Sequence, residues 1–160
     1  MNKVLICCLV LILSCQNTEN EKKFIHKYGN SNFDTFKGAA IYIRGFDGKG
    51  KPIIFYNSNK DSCEAPFIVE TDINGVPIGL DDRLIQKECV PDVANALNQV
   101  KEYLKYNVCF LSVDENGTVK VNVDEIAEPP NLIRVMDRSF LTEYQIKHWR
   151  NIKGNWYMKE

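Results

Sequence analysis

An α+β domain, an antiparallel sheet built from hairpins and joined by two helices, is the fold this sequence predicts. Three observations carry it. Short runs of β-branched and aromatic residues alternate in polarity between Gly-, Asn- and Asp-rich turns, one strongly amphipathic stretch covers 91–106, and a weaker helical stretch covers 139–149.

Taken in order, Ala39 to Phe46 places Ile41 and Ile43 on one face, and Pro52 to Tyr56 follows a loop rich in Gly and Lys, which reads as a hairpin. Phe67 to Ile73 alternates Phe67, Val69, Thr71 and Ile73 against Ile68, Glu70 and Asp72. Asn74-Gly75 then accepts the positive φ of a tight two-residue turn before Val76-Pro77-Ile78, and Pro77, which cannot donate to a ladder, belongs on a sheet edge. In Pro91 to Tyr106, Val93, Leu97, Val100 and Leu104 form a helical stripe, with Pro91 suited to the first turn. Val108 to Val113 and Thr118 to Val123 flank Asp114-Glu115-Asn116-Gly117 as another hairpin, Leu132 to Met136 is a strand after Pro129-Pro130, and Asn155 to Met158 is a terminal strand. A curved sheet wrapped around a helix, as in cystatin-like or nuclear-transport-factor-like domains, fits this order without being singled out by it. Such an analogy would not supply a function.

The chain has 160 residues, 20 Lys+Arg against 21 Asp+Glu and 44% hydrophobic residues, which suits one globular domain. With a net charge of −1 and a pI near 6.2 it lacks the surplus of Lys and Arg that nucleic-acid binding demands, so nucleic acid is not an expected partner.

The beginning of the chain concerns location. Lys3 precedes an unbroken apolar run from Val4 to Leu13, which would rise roughly 15 Å as a helix, about half a hydrocarbon core, and so fits a signal-peptide core better than a spanning helix. The run ends in Ile12-Leu13-Ser14-Cys15. A small residue directly before Cys at this place resembles the lipobox of bacterial lipoproteins, with Leu13 a departure from the small or β-branched residue usual there. The resemblance covers residues 1–15 and implies that residues 1–14 are cleaved, that the Cys15 thiol is diacylglycerylated and that the new α-amino group is acylated. Because Gln16 is not Asp, it also implies the outer membrane rather than the inner. Residues 16–23 contain no apolar side chain and read, with Cys15, as a flexible tether over 15–23, leaving 24–160 as the domain.

Of six Cys, Cys63, Cys89 and Cys109 remain for the domain. Cys63 and Cys89 sit at polar element boundaries and are the candidate disulfide of an oxidising envelope, whereas Cys109, between Val108 and Phe110, reads as a free Cys in a buried strand. No C-x₂-C pair is present and the two His, His26 and His148, lie near opposite ends of the chain, so no metal is expected.

The chemical motifs are weak. Gly45-Phe-Asp-Gly48-Lys-Gly50-Lys51-Pro52 lacks the Ser/Thr and the following helix of a phosphate cradle, and Asp114 to Gly117 has its Gly at the fourth rather than the sixth position of a calcium loop. Both read as turns. Asp81-Asp82 and Asp124-Glu125 are adjacent and point apart on a strand, and the chain lacks G-x-S-x-G, S-x-x-K and H-E-x-x-H. Neither catalytic residues nor a cofactor beyond the covalent lipid are therefore expected. Among the aromatics, Tyr42, Phe46 and Tyr56 on the first hairpin are the candidate partner surface. The expected function is a non-enzymatic, lipid-anchored envelope domain that binds a protein or another envelope component. A toxin-neutralising immunity lipoprotein is the alternative within binding, and an envelope hydrolase the alternative of another class.

Overall fold

The computed structural model describes residues 19–58, 65–81, 92–124 and 130–160. Cys15, Cys63 and Cys89 lie outside these residues, and so do the expected signal segment and residues 15–18 of the expected tether.

All nine described strands join one antiparallel sheet: β1 (Ala39–Phe46), β2 (Pro52–Ser58), β3 (Phe67–Thr71), β4 (Pro77–Asp81), β5 (Phe110–Val113), β6 (Val119–Asn122), β7 (Leu132–Arg134), β8 (Trp149–Lys153) and β9 (Trp156–Lys159). Their spatial order is β4-β3-β2-β1-β5-β6-β7-β9-β8, so Pro77 lies on an edge strand as expected. Alternation along each strand sends Ala39, Ile41, Ile54, Tyr56, Phe67, Val69, Leu111, Val113, Val119, Val121, Leu132, Trp156 and Met158 into one core, on the face covered by helices α1 (19–28) and α2 (Val93–Leu104).

Residues 19–23, expected as part of a tether, form the first half of helix α1. Its polar start offers no apolar anchor of its own, but Phe24 and Ile25 are buried against the sheet, and Asn131 Nδ2 donates to buried Glu21 at 2.6 Å while Asn20 Nδ2 donates to Asp124 at 2.8 Å. Tertiary packing thus orders a segment whose composition alone would not. At the other end of α1 the Gly29 amide donates to Ile25 O at 2.8 Å, and the Gly29 carbonyl accepts from the Trp156 indole N–H at 3.0 Å.

Helix α2 starts where Asp92 caps the Asn95 amide at 3.0 Å. Its buried face is Ala96, Gln99, Val100 and Tyr103, rotated from the expected stripe, and Val93 and Leu104 are exposed. The rotation is stabilised by hydrogen bonds. Tyr56 Oη donates to Gln99 Oε1 at 2.8 Å, Gln99 Nε2 donates to Thr35 O, and Tyr103 Oη donates to Val108 O, so polar tips are satisfied inside the core.

The expected helix over 139–149 is broken into a 3₁₀ turn at Arg138–Phe140 and a short helix α3 at Glu143–His148, after which Trp149 opens β8, a strand the periodicity did not reveal. A Thr142–Gln145 capping box fixes the start of α3. Leu141, just ahead of α3, joins Ile133 and Val135 in a second small core, with Trp149 and Tyr157 packed against it, on the face of the sheet opposite α1 and α2.

One turn recurs three times. Asp47, Asp72 and Asp114 each accept at Oδ1 from the amides two and four residues on, and the glycines at Gly50, Gly75 and Gly117 take φ near +80° (78°, 80° and 80°). The tight two-residue turn expected at Asn74-Gly75 is thereby replaced with a longer one, because the Asp72 carboxylate satisfies the Asn74 and Val76 amides and only Gly75 needs positive φ. These bonds favour the charged carboxylate. Asp47 is held below its ordinary value of 3.8 by the Lys51 and Lys49 amides, and Asp72 below the same value by the Val76 and Asn74 amides. A depressed folded pKa stabilises the fold above the unfolded pKa and loses that contribution as pH falls through the folded one. We expect the stability of the wild type to drop more steeply below about pH 4 than that of an Asp47→Asn, Asp72→Asn double variant. Urea midpoints measured down the acid range would show parallel curves if the turns were irrelevant.

Candidate functional site

Among the described residues, the face of the sheet opposite α1 and α2 is covered by α3 at one side only. On its uncovered part Tyr42 of β1 is directly paired with Phe55 of β2 and with Phe110 of β5. Tyr42 stacks on Phe55 with centroids 5.5 Å apart and planes 14° apart, and meets Phe110 at 6.3 Å. The Arg44 guanidinium lies 5.6 Å from the Phe55 centroid. Phe55 is buried beneath these neighbours, whereas Tyr42 and Phe110 are half-buried and Arg44 is exposed. The result is an aromatic ladder across three adjacent strands, with a cation at one end.

The other end of the ladder opens into a groove of about 430 Å³ between the sheet and α3. Its walls include Phe110, Ser112, Lys120, Tyr144, Trp149 and Lys159, and among the described residues no carboxylate lines it. Hydroxyl, amide and ammonium groups beside aromatic walls suit a partner surface that presents acidic and apolar side chains together.

The three residues singled out on the first hairpin are not brought together. Tyr42 is on the open face, but Tyr56 is only 2% exposed and binds Gln99 inside the main core. Phe46 is exposed, and its pairing with Pro52 gives it the parity of Ile54, the helix-covered face. A regular hairpin closing on Phe46 and Pro52 would pair Tyr42 with Tyr56. A register shift between Ile43 and Gly45 pairs it with Phe55 instead, because one extra residue turns the following side chains to the opposite face. Gly45 within a strand was the available signal for that bulge. Phe55, Phe110, Arg44 and the groove lysines were missed, since they depend on partners distant in sequence.

The chain matches no protein-family model, no curated protein and no solved structure. His26 lies on α1 and His148 on α3, over opposite faces of the sheet, and His148 rests 4.4 Å from the Tyr144 ring. Asp81 ends β4 and Asp124 follows β6, well apart in strand order; their neighbours Asp82 and Glu125 lie outside the described residues. Among the described residues no group of three or more His, Cys, Asp or Glu is disposed to hold a metal. Cys109 is free and half-buried just ahead of β5, and burial, then Asp124, pushes its thiol up, away from a reactive thiolate.

A second cleft of about 590 Å³ lies at the end of α1 between Gly29, Arg134, Gly154 and Trp156. Arg134 is a strut rather than a free cation: Nη1 donates to Ser31 O at 2.9 Å, and its guanidinium stands 4.8 Å from the Phe33 centroid. Burial lowers its pKa, against the opposing effect of Asp34 and Tyr106.

Proposed function

We propose that this chain is a binding domain of the bacterial cell envelope, held at the outer membrane by lipid on Cys15, that receives a protein partner on the open face of its sheet and performs no catalysis. We read its architecture as α+β, with α1 and α2 gathered on one face so that the other is left for recognition. The observation that carries the proposal is the Tyr42–Phe55–Phe110 ladder running into the lysine-bearing groove. Aromatic side chains offer large contact area at little entropic cost, and one such patch beside cations commonly supplies most of an interface's energy. Toxin neutralisation is the form this takes where the partner is a secreted toxin.

The test is capture of partners from envelope extract by the wild-type chain, a Tyr42→Ala, Phe110→Ala variant and an Asn116→Ala variant at a distant turn. Loss of the same partner by the double variant alone, with an unchanged thermal transition, supports the proposal. Each aromatic truncation should cost about 2 kcal/mol of binding, roughly thirtyfold. Equal capture by all three chains would move the interface elsewhere, and reproducible turnover of an envelope substrate would replace binding with hydrolysis.

A further inference from the structure

Strand direction decides which groups share an end of the molecule. β1 runs up to the Asp47–Lys51 turn and β3, antiparallel to β2, runs up to the Asp72–Val76 turn; Lys51 Nζ ties the two tips together by donating to Asp72 O at 2.9 Å. β5 runs the opposite way, so β6 ends, just before Asp124, at this same end of the sheet. Asp124 accepts from Asn20, which places the start of α1 there too.

The two tips are unusually apolar for turns. Ile73 is 86% exposed at the very apex of its turn, Phe46 is 58% and Val76 45% exposed, and Ile78 follows on the outer strand. Scattered apolar residues on a surface are ordinary, but here they gather on two adjacent hairpin tips. Only four residue steps separate Cys15 from residue 19, and a chain that short spans at most about 14 Å.

We propose that the β1–β2 and β3–β4 hairpin tips form a second membrane contact, with Ile73, Phe46 and Val76 entering the interfacial layer beside the lipid anchor. The contact rests on the anchoring reading above for its geometry. The short link holds this end of the sheet toward the bilayer, so the tips meet the surface without a separate search. Apolar side chains at a hairpin apex reach the acyl boundary while Lys49 and Lys51 stay at headgroup level. The aromatic ladder and its groove then stand beside the membrane instead of against it, open to a partner.

The test uses the full chain carrying Ile73→Trp, or Asn116→Trp at the opposite end of the sheet, on phosphatidylcholine vesicles with brominated acyl chains. On the vesicle-bound fraction we expect the emission added at position 73 to shift to the blue and to be quenched, and that added at position 116 to do neither. A Phe46→Trp chain provides the same reading if the first variant disturbs its turn. Unquenched emission at both tip positions, or a chain that leaves no vesicle-bound fraction, overturns the proposal. Fatty-acid labelling of Cys15 in the same preparations is scored separately: labelled protein with unquenched tips defeats the tip contact alone, and unlabelled protein with quenched tips defeats the anchoring reading alone.

Discussion

Replacing Gly29 with alanine is expected to remove about 2–4 kcal/mol of stability, a substantial fraction of the roughly 5–15 kcal/mol that holds a domain of this size together. The Gly29 amide closes the end of α1 on the Ile25 carbonyl, and a Cβ at position 29 would stand 2.4 Å from that same oxygen. The obstacle is backbone, so no rotamer relieves it. The helix end has to move, and with it the Gly29 carbonyl that accepts from Trp156 at 3.0 Å and from Arg134 at 3.4 Å. Trp156 also meets Phe24 and Phe33 at 5.8 and 6.3 Å, so the shift spreads into the aromatic packing between α1 and the sheet. Urea unfolding of the variant measures the effect, with Gly48→Ala as the control because a Cβ there meets nothing within 4 Å. Equal midpoints for the two variants would show that α1 ends flexibly and that its seat on Trp156 is not needed.

The largest expected effect on location comes from Cys15→Ala, which should release the domain from the membrane almost completely while leaving its fold unchanged. The proposal is motivated by Ser14-Cys15 at the end of an apolar run that is too short to span. One acyl chain holds a protein only marginally, but each buried CH₂ adds about 0.8 kcal/mol, so the several chains of a mature lipoprotein make dissociation negligible. The hairpin tips cannot replace them, since a few apolar side chains at an interface bind weakly and reversibly. Fractionation beside fatty-acid labelling checks this. An unlabelled wild type, or a processed variant that stays equally bound through a salt wash, would assign the anchoring to another surface.

Strands with local turns were legible in the sequence. Asp47, Asp72 and Asp114 lie next to alternating runs, and the edge position of Pro77 follows from a missing donor. Helix α1 and strand β8 were not legible, for one reason in two forms. Residues 19–23 carry no apolar side chain and are ordered through Asn131 and Asp124, more than a hundred positions away, and Trp149 to Lys153 is a strand because Trp156 to Lys159 lies beside it. Of the candidate binding face, Tyr42 was within reach of sequence reasoning and Phe55 was not, because a single extra residue at the bulge exchanged it for Tyr56.

The clasp of Asn20 on Asp124 and of Asn131 on Glu21 has a mechanical meaning. In the anchored protein proposed here, a partner drawn away by flow or by its own motion loads the domain between its binding face and its lipid. That load enters at β1 and β5 and reaches α1 both along the chain, from β1 through 29–38, and across β6 at the Asn20–Asp124 clasp, before it passes toward Cys15. It is carried by strands in the middle of the sheet, where ladder bonds must shear together, and not by β4 or β8 at the margins, where they would unzip one at a time. A tether fixed at the margin would turn every tug into peeling; fixed near the middle, it lets the sheet bear tension as a unit.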